Sequence, residues 1–191
     1  EATSGTVTFE PGETLQHVTV TVHGDTTHEP PLLYGEWVLV LFSDPSGATL
    51  DTSFFGAGIG VVIDDDPIPT IKPGVGSVVE GNSGDVVINV PVTLSNPSAE
   101  TITVDYATID SAQAGVASSS SDYVAKAGTV TFAPGETTKT VSITVHGDTT
   151  KEPPLLYGEW ILVSFSHPSA TATLDTKTFF GVGIGVVIDD D

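Results

Sequence analysis

Apolar and polar residues alternate along much of this chain, and Val, Ile and Thr supply most of the alternating positions. Alternation is typical of β-strands that bury one face, because successive side chains point to opposite sides of a strand. Seven segments in the second part of the chain share this pattern: 76–80, 86–94, 101–108, 128–132, 139–145, 159–165 and 181–188. No segment shows helical periodicity, so the pattern predicts an all-β protein.

Short turn signals separate the alternating segments. GNSG at 81–84 and PGET at 134–137 combine Gly, Pro and polar residues, which is the composition of tight turns. Seven short strands within about 125 residues are typical of a sandwich of two sheets. We therefore predict a seven-stranded antiparallel immunoglobulin-like β-sandwich.

The chain also contains an internal repeat, which decides its domain organisation. Three segments occur twice with few changes: 5–14 and 128–137, 20–37 and 143–160, and 50–66 and 174–191. Residues 67–127 have no counterpart upstream. We divide the chain into an incomplete first copy at 1–66, called the half-repeat below, and a complete repeat at 67–191.

The half-repeat is predicted to supply only the last four strands of a sandwich. One sheet would then be incomplete and an apolar face would be open, which favours aggregation or strand swapping. Two explanations stay open: the sequence is cut from a longer array, or another chain supplies the missing strands. In the second case, strand exchange between nearly identical copies would link chains into homo-oligomers or fibres.

The charge of the chain limits its partners. It has 25 Asp and Glu against five Lys and no Arg, for a net charge of −20, which argues against nucleic acid as a partner. No apolar run reaches the roughly 20 residues of a membrane span, so no membrane insertion is expected. Cys is absent, which excludes disulfides and thiolate metal sites. The chain begins without Met or a signal peptide, and we interpret it as a fragment or a mature piece.

Many of the acids follow predicted strands. Seven of them in the complete repeat are candidate ligands: Glu80, Asp122, Asp148, Glu152, Asp189, Asp190 and Asp191. If the loops that carry them share one end of the sandwich, so many carboxylates without a matching base need a hard cation. Calcium binds six to eight oxygens at about 2.3–2.6 Å in tolerant geometry, whereas magnesium prefers a smaller octahedral site. The absence of Cys and the scattered His argue against zinc or copper, so we predict calcium.

The segment GTVTFAPGETTKTVSITVHGDTTKEP, followed by LVSFSHPS and a terminal VVIDDD, resembles the Calx-β domain. VVEGNSGDVVINVPVTLSNPS is similar to the opening strands of that family, and SSSSDYVAKAGTVTF to its DY…GT…F segment. The family has a seven-stranded sandwich and occurs in sodium–calcium exchangers and bacterial surface adhesins. The resemblance implies that the acids above are calcium ligands. It implies the same for their counterparts in the half-repeat: Asp25, Glu29, Asp64, Asp65 and Asp66.

The sequence departs from the family after GDTTKEP. The family typically continues with further acids, whereas this chain has Pro154 and Leu155, so we expect only about one or two ions per site. The connector PIPTIKPG follows Asp66, and its prolines restrict bending. We hypothesise that calcium at this junction stiffens successive repeats into a rod.

Other residues add little chemistry. No nucleophile elbow or metalloprotease motif is present, so no enzyme is predicted. His23 and His146 are interpreted as strand-end residues, with metal ligation as the alternative. For Trp37 and Trp160 we expect core packing or anchoring of a strand entry, with an exposed aromatic patch as the alternative.

These patterns lead to one main functional hypothesis and two alternatives. The main hypothesis is a non-enzymatic calcium-binding structural repeat of an extracellular surface adhesin or filament. The alternatives are a calcium-sensing regulatory module, as the exchanger resemblance implies, and an accessory module of a secreted hydrolase. Tight micromolar binding of calcium would favour the regulatory module over the structural repeat.

Overall fold

The computed structural model describes residues 4–29, 35–111, 113, 115–151 and 158–190. These residues form the following strands: β1 Glu36–Leu41, β2 Ala57–Val62, β3 Thr70–Pro73, β4 Val75–Val79, β5 Gly84–Leu94, β6 Ile102–Ile109, β7 Ala127–Phe132, β8 Thr138–Gly147, β9 Glu159–Ser166, β10 Thr173–Leu174 and β11 Val182–Ile188. A 3₁₀ turn at Phe179–Gly181 precedes β11. The described parts of the chain are thus all-β, as the alternation predicts.

The strands form three sheets. In the complete repeat, one sheet has the order β10-β3-β5-β8 and the other has the order β4-β11-β9-β6-β7, while β1 and β2 pair separately in the half-repeat. The two larger sheets enclose an apolar core, in which Ile88, Val90, Val104, Ile143 and Ile161 are fully buried. Alternate residues of both sheets therefore face one another, which confirms the predicted β-sandwich.

The first two strands of the complete repeat, β3 and β4, depart from the predicted all-antiparallel arrangement. β3 pairs antiparallel with β5, the chain turns at Gly74, and β4 then pairs in parallel with β11 of the other sheet. A parallel pair needs a long connection, and here the rest of the repeat lies between the two strands. The short strand β10 forms a second parallel pair with β3. β3 and β10 are the strands of the complete repeat that the seven alternating segments do not include.

The half-repeat forms two of the four strands predicted for it. β1 and β2 pair antiparallel, as their counterparts β9 and β11 do. The segments at 5–9 and 16–22 correspond to β7 and β8, but the described range 4–29 contains no strand. In the complete repeat, β7 pairs with β6 and β8 pairs with β5. The half-repeat has no counterpart of β5 or β6, so these two segments lack the partners that would hold them as strands.

The two tryptophans do not lie in the core, so the expectation of core packing is wrong. The side chain of Trp37 is 60% exposed and that of Trp160 is 38% exposed. The next residue in β9, Ile161, is fully buried. Because side chains alternate along a strand, Trp160 lies on the outer face, and Trp37 occupies the same position in β1.

Candidate metal centre

Five of the predicted ligands lie at one end of the complete repeat, which we call the tip: Glu80, Asp122, Asp148, Asp189 and Asp190. The tip is the end at which β4, β8 and β11 finish. β4 and β11 run in parallel, with Val79 opposite Ile188, so that Glu80 and Asp189 leave the sheet side by side. The backbone N–H of Glu80 donates to the carbonyl oxygen of Ile188 at 3.2 Å.

The end of β8 brings Asp148 to the same place. Gly147, the residue before Asp148, pairs with Gly84 at the start of β5. A Cβ atom at Gly147 would stand 2.2 Å from the carbonyl oxygen of Gly81 and 2.6 Å from that of Glu80. The backbone of β8 therefore packs directly on the turn after β4, where no side chain fits. The counterpart Gly24 in the half-repeat has nothing within 4 Å, so this contact belongs to the complete repeat.

The acids after β11 are tied to the same turn. The backbone N–H of Gly81 donates to Asp190 Oδ1 at 3.1 Å. Glu80 is only 4% exposed, so a carboxylate is buried where the three strands end. Burial of a carboxylate is unfavourable unless hydrogen bonds or a positive charge compensate for it.

A loop places Asp122 at the tip. The backbone N–H of His146 donates to the carbonyl oxygen of Asp122 at 2.8 Å, which fixes the loop beside the end of β8. The carboxylate of Asp122 accepts a hydrogen bond from the backbone N–H of Ser118 at 2.6 Å through Oδ2. Asp148 similarly accepts one from the N–H of Thr150 at 2.5 Å through Oδ1. Each bond uses one oxygen of its carboxylate, and a carboxylate can accept at both.

Asp110 and Tyr123 anchor this loop, and our sequence reasoning missed Asp110. Tyr123 is fully buried, and its hydroxyl donates to Asp110 Oδ1 at 2.9 Å. The N–H and the hydroxyl of Ser119 donate to the same carboxylate at 2.9 and 2.5 Å. The bonds from Ser119 and Tyr123 lower the pKa of Asp110, while burial raises the pKa of Tyr123 to about 12. The available signal was the position of Asp110 directly after β6, since Glu80, Asp148 and Asp189 also directly follow strands.

The acids of the half-repeat converge in the same way. Asp64 Oδ2 accepts from the backbone N–H of Glu29 at 3.0 Å, and Asp64 Oδ1 accepts from that of Asp66 at 3.2 Å. The bond from the Glu29 N–H is the main cause that lowers the pKa of Asp64. The negative charge of Glu36, followed by burial and the charge of Asp25, raises the pKa of Glu29. Repulsion of this kind shows a local excess of negative charge that a cation would relieve.

Asp66 is affected by the same negative charge. Burial, followed by the charges of Asp64, Asp65 and Asp25, raises the pKa of Asp66. The carboxylate of Asp25 accepts from the backbone N–H of Thr27 at 2.7 Å, which folds the loop after residue 24 into a turn. We call Asp25, Glu29, Asp64, Asp65 and Asp66 the junction acids.

His28 lies against the junction acids and was missed by our sequence reasoning. Its Nδ1 is 3.1 Å from the carbonyl oxygen of Asp66 and 3.2 Å from Asp64 Oδ2. Both oxygens are acceptors, so Nδ1 carries the proton. The imidazole is buried. The available signal was that His28 is the only difference between residues 21–37 and 144–160, where Lys151 occupies the equivalent position.

The backbone of His28 connects the half-repeat to the complete repeat. Its N–H donates to the carbonyl oxygen of Pro97, and its own carbonyl accepts from the N–H of Ala99, both at 3.0 Å. These bonds form a short parallel bridge to Ser98, which lies between β5 and β6. The junction acids therefore lie directly on the next repeat.

In both copies a glycine lies directly before the strand that pairs with the last strand: Gly158 before β9 and Gly35 before β1. Gly158 has φ +89°, and a Cβ atom there would stand 2.0 Å from the carbonyl oxygen of Val187. Gly35 has φ +84°, and its Cβ would stand 2.3 Å from the carbonyl oxygen of Val62. Only glycine combines this conformation with such a close approach. Gly158 and Gly35 thereby lie directly against the last strand of each copy, just before the acids that follow that strand.

His146 lies near the end of β8, as predicted, whereas His23 lies in a range without a strand, so the strand-end interpretation is wrong for His23. His146 Nδ1 lies 2.8 Å from Asp85 Oδ1, and the two residues are paired across β5 and β8. His146 therefore contributes to strand pairing and is turned toward a carboxylate outside the predicted ligand set. His23 is exposed.

The donor types suit a hard cation, but the described residues do not form a closed metal cage. All predicted ligands are carboxylates, and the chain has no Cys, which is the donor chemistry of calcium. Within the described ranges, no three His, Asp or Glu side chains are arranged so that they could hold a metal ion. The predicted ligands Glu152 and Asp191 lie outside the described residues. The backbone thus brings the acids to common ends, and coordination would require further closure of their side chains.

The fold and its acidic ends define the class of this protein: it contains an immunoglobulin-like β-sandwich, preceded by a partial copy of the same sequence. The sequence model of the Calx-beta domain matches residues 1–53 and 63–178, and the chain belongs to this family. No curated protein matches the chain. In the described part of the chain, no helix has the length and apolar character needed to cross a membrane.

The fold of the complete repeat is similar to that of a solved Calx domain, and two further solved structures match the chain less well. The apo-form Calx CBD1 domain is 24% identical over 65% of this chain and 100% of that domain, with a TM-score of 0.51. CBD12 from CALX1.2 is 24% identical, covers 64% of this chain and 45% of its own, and has a TM-score of 0.49. The calcium binding domain CBD12 of CALX1.1 is 25% identical, with coverages of 63% and 46% and a TM-score of 0.49. This chain therefore spans about half the length of the two CBD12 structures.

Proposed function

We propose that this chain is a non-enzymatic calcium-binding structural repeat of an extracellular surface protein, and that calcium at the junction stiffens the array. The observation that carries the proposal is the contact of the junction acids with the next repeat through His28. Asp64 and Asp66 bind the imidazole, while the backbone of the same residue pairs with Ser98. Any restraint on these acids is therefore passed to the neighbouring repeat.

The residues that would hold the ion are the junction acids Asp25, Glu29, Asp64, Asp65 and Asp66, and at the tip Glu80, Asp122, Asp148, Asp189 and Asp190. When bound, calcium would supply two positive charges and a fixed shell of oxygen ligands. The connector adds to the junction, because Asn96 Nδ2 donates to the carbonyl oxygen of Pro67 at 2.8 Å. Asp66 directly precedes Pro67, so holding this acid also holds the start of the connector.

The proposed affinity is that of an extracellular module. Extracellular calcium modules bind with dissociation constants of about 10⁻⁴–10⁻³ M. Part of the binding energy would be used to close acids that the described residues do not arrange as a cage. This cost supports weak binding, whose occupancy rises with calcium in the range of these dissociation constants.

The proposal is tested by calcium titration calorimetry on calcium-free protein, together with small-angle scattering in calcium and in chelator. We expect the wild-type chain to bind calcium and its scattering to report a narrower distribution of shapes in calcium. The double variant Asp64→Asn with Asp66→Asn should lose the junction heat and this narrowing. Asp44→Asn removes one exposed acid outside the two predicted sites, so it should behave as wild type. Identical shapes with and without calcium would overturn the stiffening role.

A second candidate, a calcium-sensing regulatory module, is favoured by the same contact. Because His28 links the junction acids to residues 97–99, occupancy could set the angle between the repeats instead of only limiting its variation. Micromolar affinity with a shift in the mean shape would support sensing. Submillimolar affinity with an unchanged mean shape and a narrower distribution would support the structural repeat.

A further inference from the structure

The outer face of the five-stranded sheet carries apolar residues that the calcium sites do not use. In β9, Ile161 and Val163 are fully buried in the core, so Trp160 and Leu162 lie on the opposite, outer face. Residues that are partners across a strand pair have neighbouring side chains on the same face. The register of the sheet therefore shows what surrounds Trp160 and Leu162.

The pairing makes a continuous apolar row across four strands. Leu162 lies opposite Ile109 of β6 on one side and opposite Ile184 of β11 on the other. Ile184 in turn lies opposite Val75 of β4. Ile184 is only 7% exposed although it lies on the outer face, because apolar neighbours flank it on both sides.

Further apolar pairs follow on the same face toward the tip. Trp160 lies opposite Val186, and Val79 lies opposite Ile188. The residues at the margins are 37–49% exposed: Val75, Val79, Ile109, Trp160 and Ile188. We call the whole set the outer patch: Val75, Val79, Ile109, Trp160, Leu162, Ile184, Val186 and Ile188.

The other sheet of the complete repeat lacks such a patch. The outward positions of β5 and β8 hold Asp85, Asn89, Ser142 and His146, with the exposed Val87 among them. An isolated exposed apolar residue such as Val87 is normal at a protein surface, whereas a contiguous group marks an interaction site. The outer patch therefore calls for a partner.

The charges around the outer patch limit what this partner is. Asp110 directly follows Ile109, Glu80 follows Val79, and Asp189 follows Ile188, so carboxylates border the patch at the tip. None of the eight patch residues is charged, while the chain as a whole carries −20. Complementary charge requires a partner that is apolar over the patch and basic beside the tip. A second copy, with five Lys against 25 acids, does not match.

The backbone under the patch limits the partner further. β11 pairs with β4 on one side and with β9 on the other. At Trp160 the N–H donates to the carbonyl of Gly115 at 2.9 Å, and the carbonyl accepts from the N–H of Ala117 at 3.0 Å. The patch therefore offers side chains and no free main-chain edge. A docked segment must satisfy its own backbone hydrogen bonds, which an α-helix does.

The dimensions of the patch fit one helix. From Ile184 to Ile188 the patch is about 13 Å long at the rise of a β-strand, and β4 and β9 lie about 10 Å apart across β11. An α-helix of three turns is about 16 Å long and about 10–12 Å wide. Such a helix covers the patch and ends beside Asp189.

We propose that the outer patch binds an amphipathic helix of another protein, which places an apolar stripe over Ile184, Val186 and Ile188. A cluster of Lys or Arg at one end of this helix lies beside Asp189 and Asp190. Apolar contact supplies affinity, and the basic cluster sets the orientation. Binding does not require calcium, and calcium at the tip weakens it by neutralising the same carboxylates.

The test uses the full chain with Trp37→Phe as the parent, which leaves Trp160 as the only tryptophan. The probe is a synthetic peptide of about 18 residues, long enough to form a helix, with a Leu stripe at helical spacing and Lys at one end. A control peptide has the same composition in an order that forms no stripe. The Trp160 emission is recorded against peptide concentration in the presence of chelator.

Two pairs of matched variants separate apolar contact from charge. Val79→Asp places a carboxylate on the outer patch, and Val87→Asp places one on the outer face of the other sheet. The two valines are 49% and 53% exposed, so neither change buries a charge. Asp189→Asn with Asp190→Asn removes two charges at the tip, and Asp44→Asn with Asp51→Asn removes two charges between β1 and β2.

We expect a saturable blue shift of the Trp160 emission with the striped peptide and none with the control peptide. Val79→Asp should weaken binding at least about fivefold although it adds negative charge, and loss of the two tip charges should weaken it by a similar factor. Val87→Asp and the Asp44 and Asp51 variant should bind as the parent does. Absence of a shift, or equal affinity in Val79→Asp and Val87→Asp, would overturn the proposal. A shift that rises with protein concentration without peptide would also overturn it, because a second copy would then be the occupant.

Discussion

The Nδ1 atom of His28 lies 3.2 Å from Asp64 Oδ2, and both residues belong to the half-repeat although they are far apart in sequence. The contact brings the loop after residue 24 onto the acids that end β2. The backbone of His28 pairs at the same time with Ser98 in the complete repeat. One residue thus connects an acidic loop, a strand end and the neighbouring repeat.

Replacing the His28 side chain is expected to loosen the junction. His28→Ala removes the hydrogen bonds to Asp64 and Asp66 and leaves the backbone bridge without support. The amide of Ala99, which donates to the His28 carbonyl, should then exchange about fivefold faster, corresponding to about 1 kcal/mol for a lost hydrogen bond. His17→Ala, at an exposed position of the half-repeat, is the control and should leave this rate unchanged. An unchanged rate in His28→Ala would mean that the side chain does not support the bridge.

Two equivalent phenylalanines are expected to differ strongly in their contribution to stability. Phe132→Ala empties a fully buried site and should lower the free energy of unfolding by about 3–5 kcal/mol. Phe9→Ala changes a side chain that is 56% exposed and should cost less than about 0.5 kcal/mol. Urea denaturation of both variants measures the difference. Equal losses would show that Phe9 is buried in solution by an unseen partner or a second copy.

The glycine that ends the loop of the complete repeat is expected to be irreplaceable. Gly158→Ala combines a strained φ with a Cβ atom 2.0 Å from a carbonyl oxygen, and should cost about 2–6 kcal/mol. Gly135→Ala is a matched control, because its φ is +80° but nothing lies within 4 Å, and it should cost about 1–3 kcal/mol. The difference between the two in chemical denaturation isolates the close approach to Val187. Equal costs would mean that the loop shifts freely.

The buried Tyr123 is expected to make the complete repeat sensitive to alkaline pH. Its pKa in the folded state is raised to about 12, above the usual value of 10.0, so folding favours the protonated hydroxyl. This stabilisation is fully present below pH 10 and is lost as the pH rises toward 12. Tyr123→Phe should remove the dependence in this window and lower stability at neutral pH by about 1–2 kcal/mol through the lost bond to Asp110. Denaturation curves at pH 7 and pH 11 measure both effects, and the same pH dependence in both proteins would contradict the assignment.

The sandwich could be predicted from the sequence because its signal is local. Alternation in segments such as 86–94 reports which face of a strand is buried, and it identified all strands of the complete repeat except β3 and β10. The same alternation at 5–9 gave a wrong result, because a strand also needs a partner and the partner of that segment is missing. Local pattern reports the tendency to form a strand, whereas pairing decides whether the strand exists.

The sequence predicted the end of the sandwich at which the acids lie, and it did not predict the contacts that hold them there. Acids that follow strands must lie at the ends of the sandwich, so Glu80, Asp148 and Asp190 were predicted to converge. Asp110 and His28 were missed, because their roles depend on tertiary contacts with Tyr123 and with the β5–β6 connection. Exposure of the tryptophans was missed for a related reason: strand alternation, and not hydrophobicity, sets the side on which a ring lies.

The parallel pairing of β4 with β11 has a mechanical consequence. β4 follows β3, and β11 is the last strand, so tension between the start of β4 and the end of β11 would pull these neighbouring strands in opposite directions along their length. The register from Val75 opposite Ile184 to Val79 opposite Ile188 is then loaded in shear, and all of its hydrogen bonds must yield together. An antiparallel terminal pair would unzip one bond at a time. Force applied across this pair would therefore meet the resistance of all its hydrogen bonds at once.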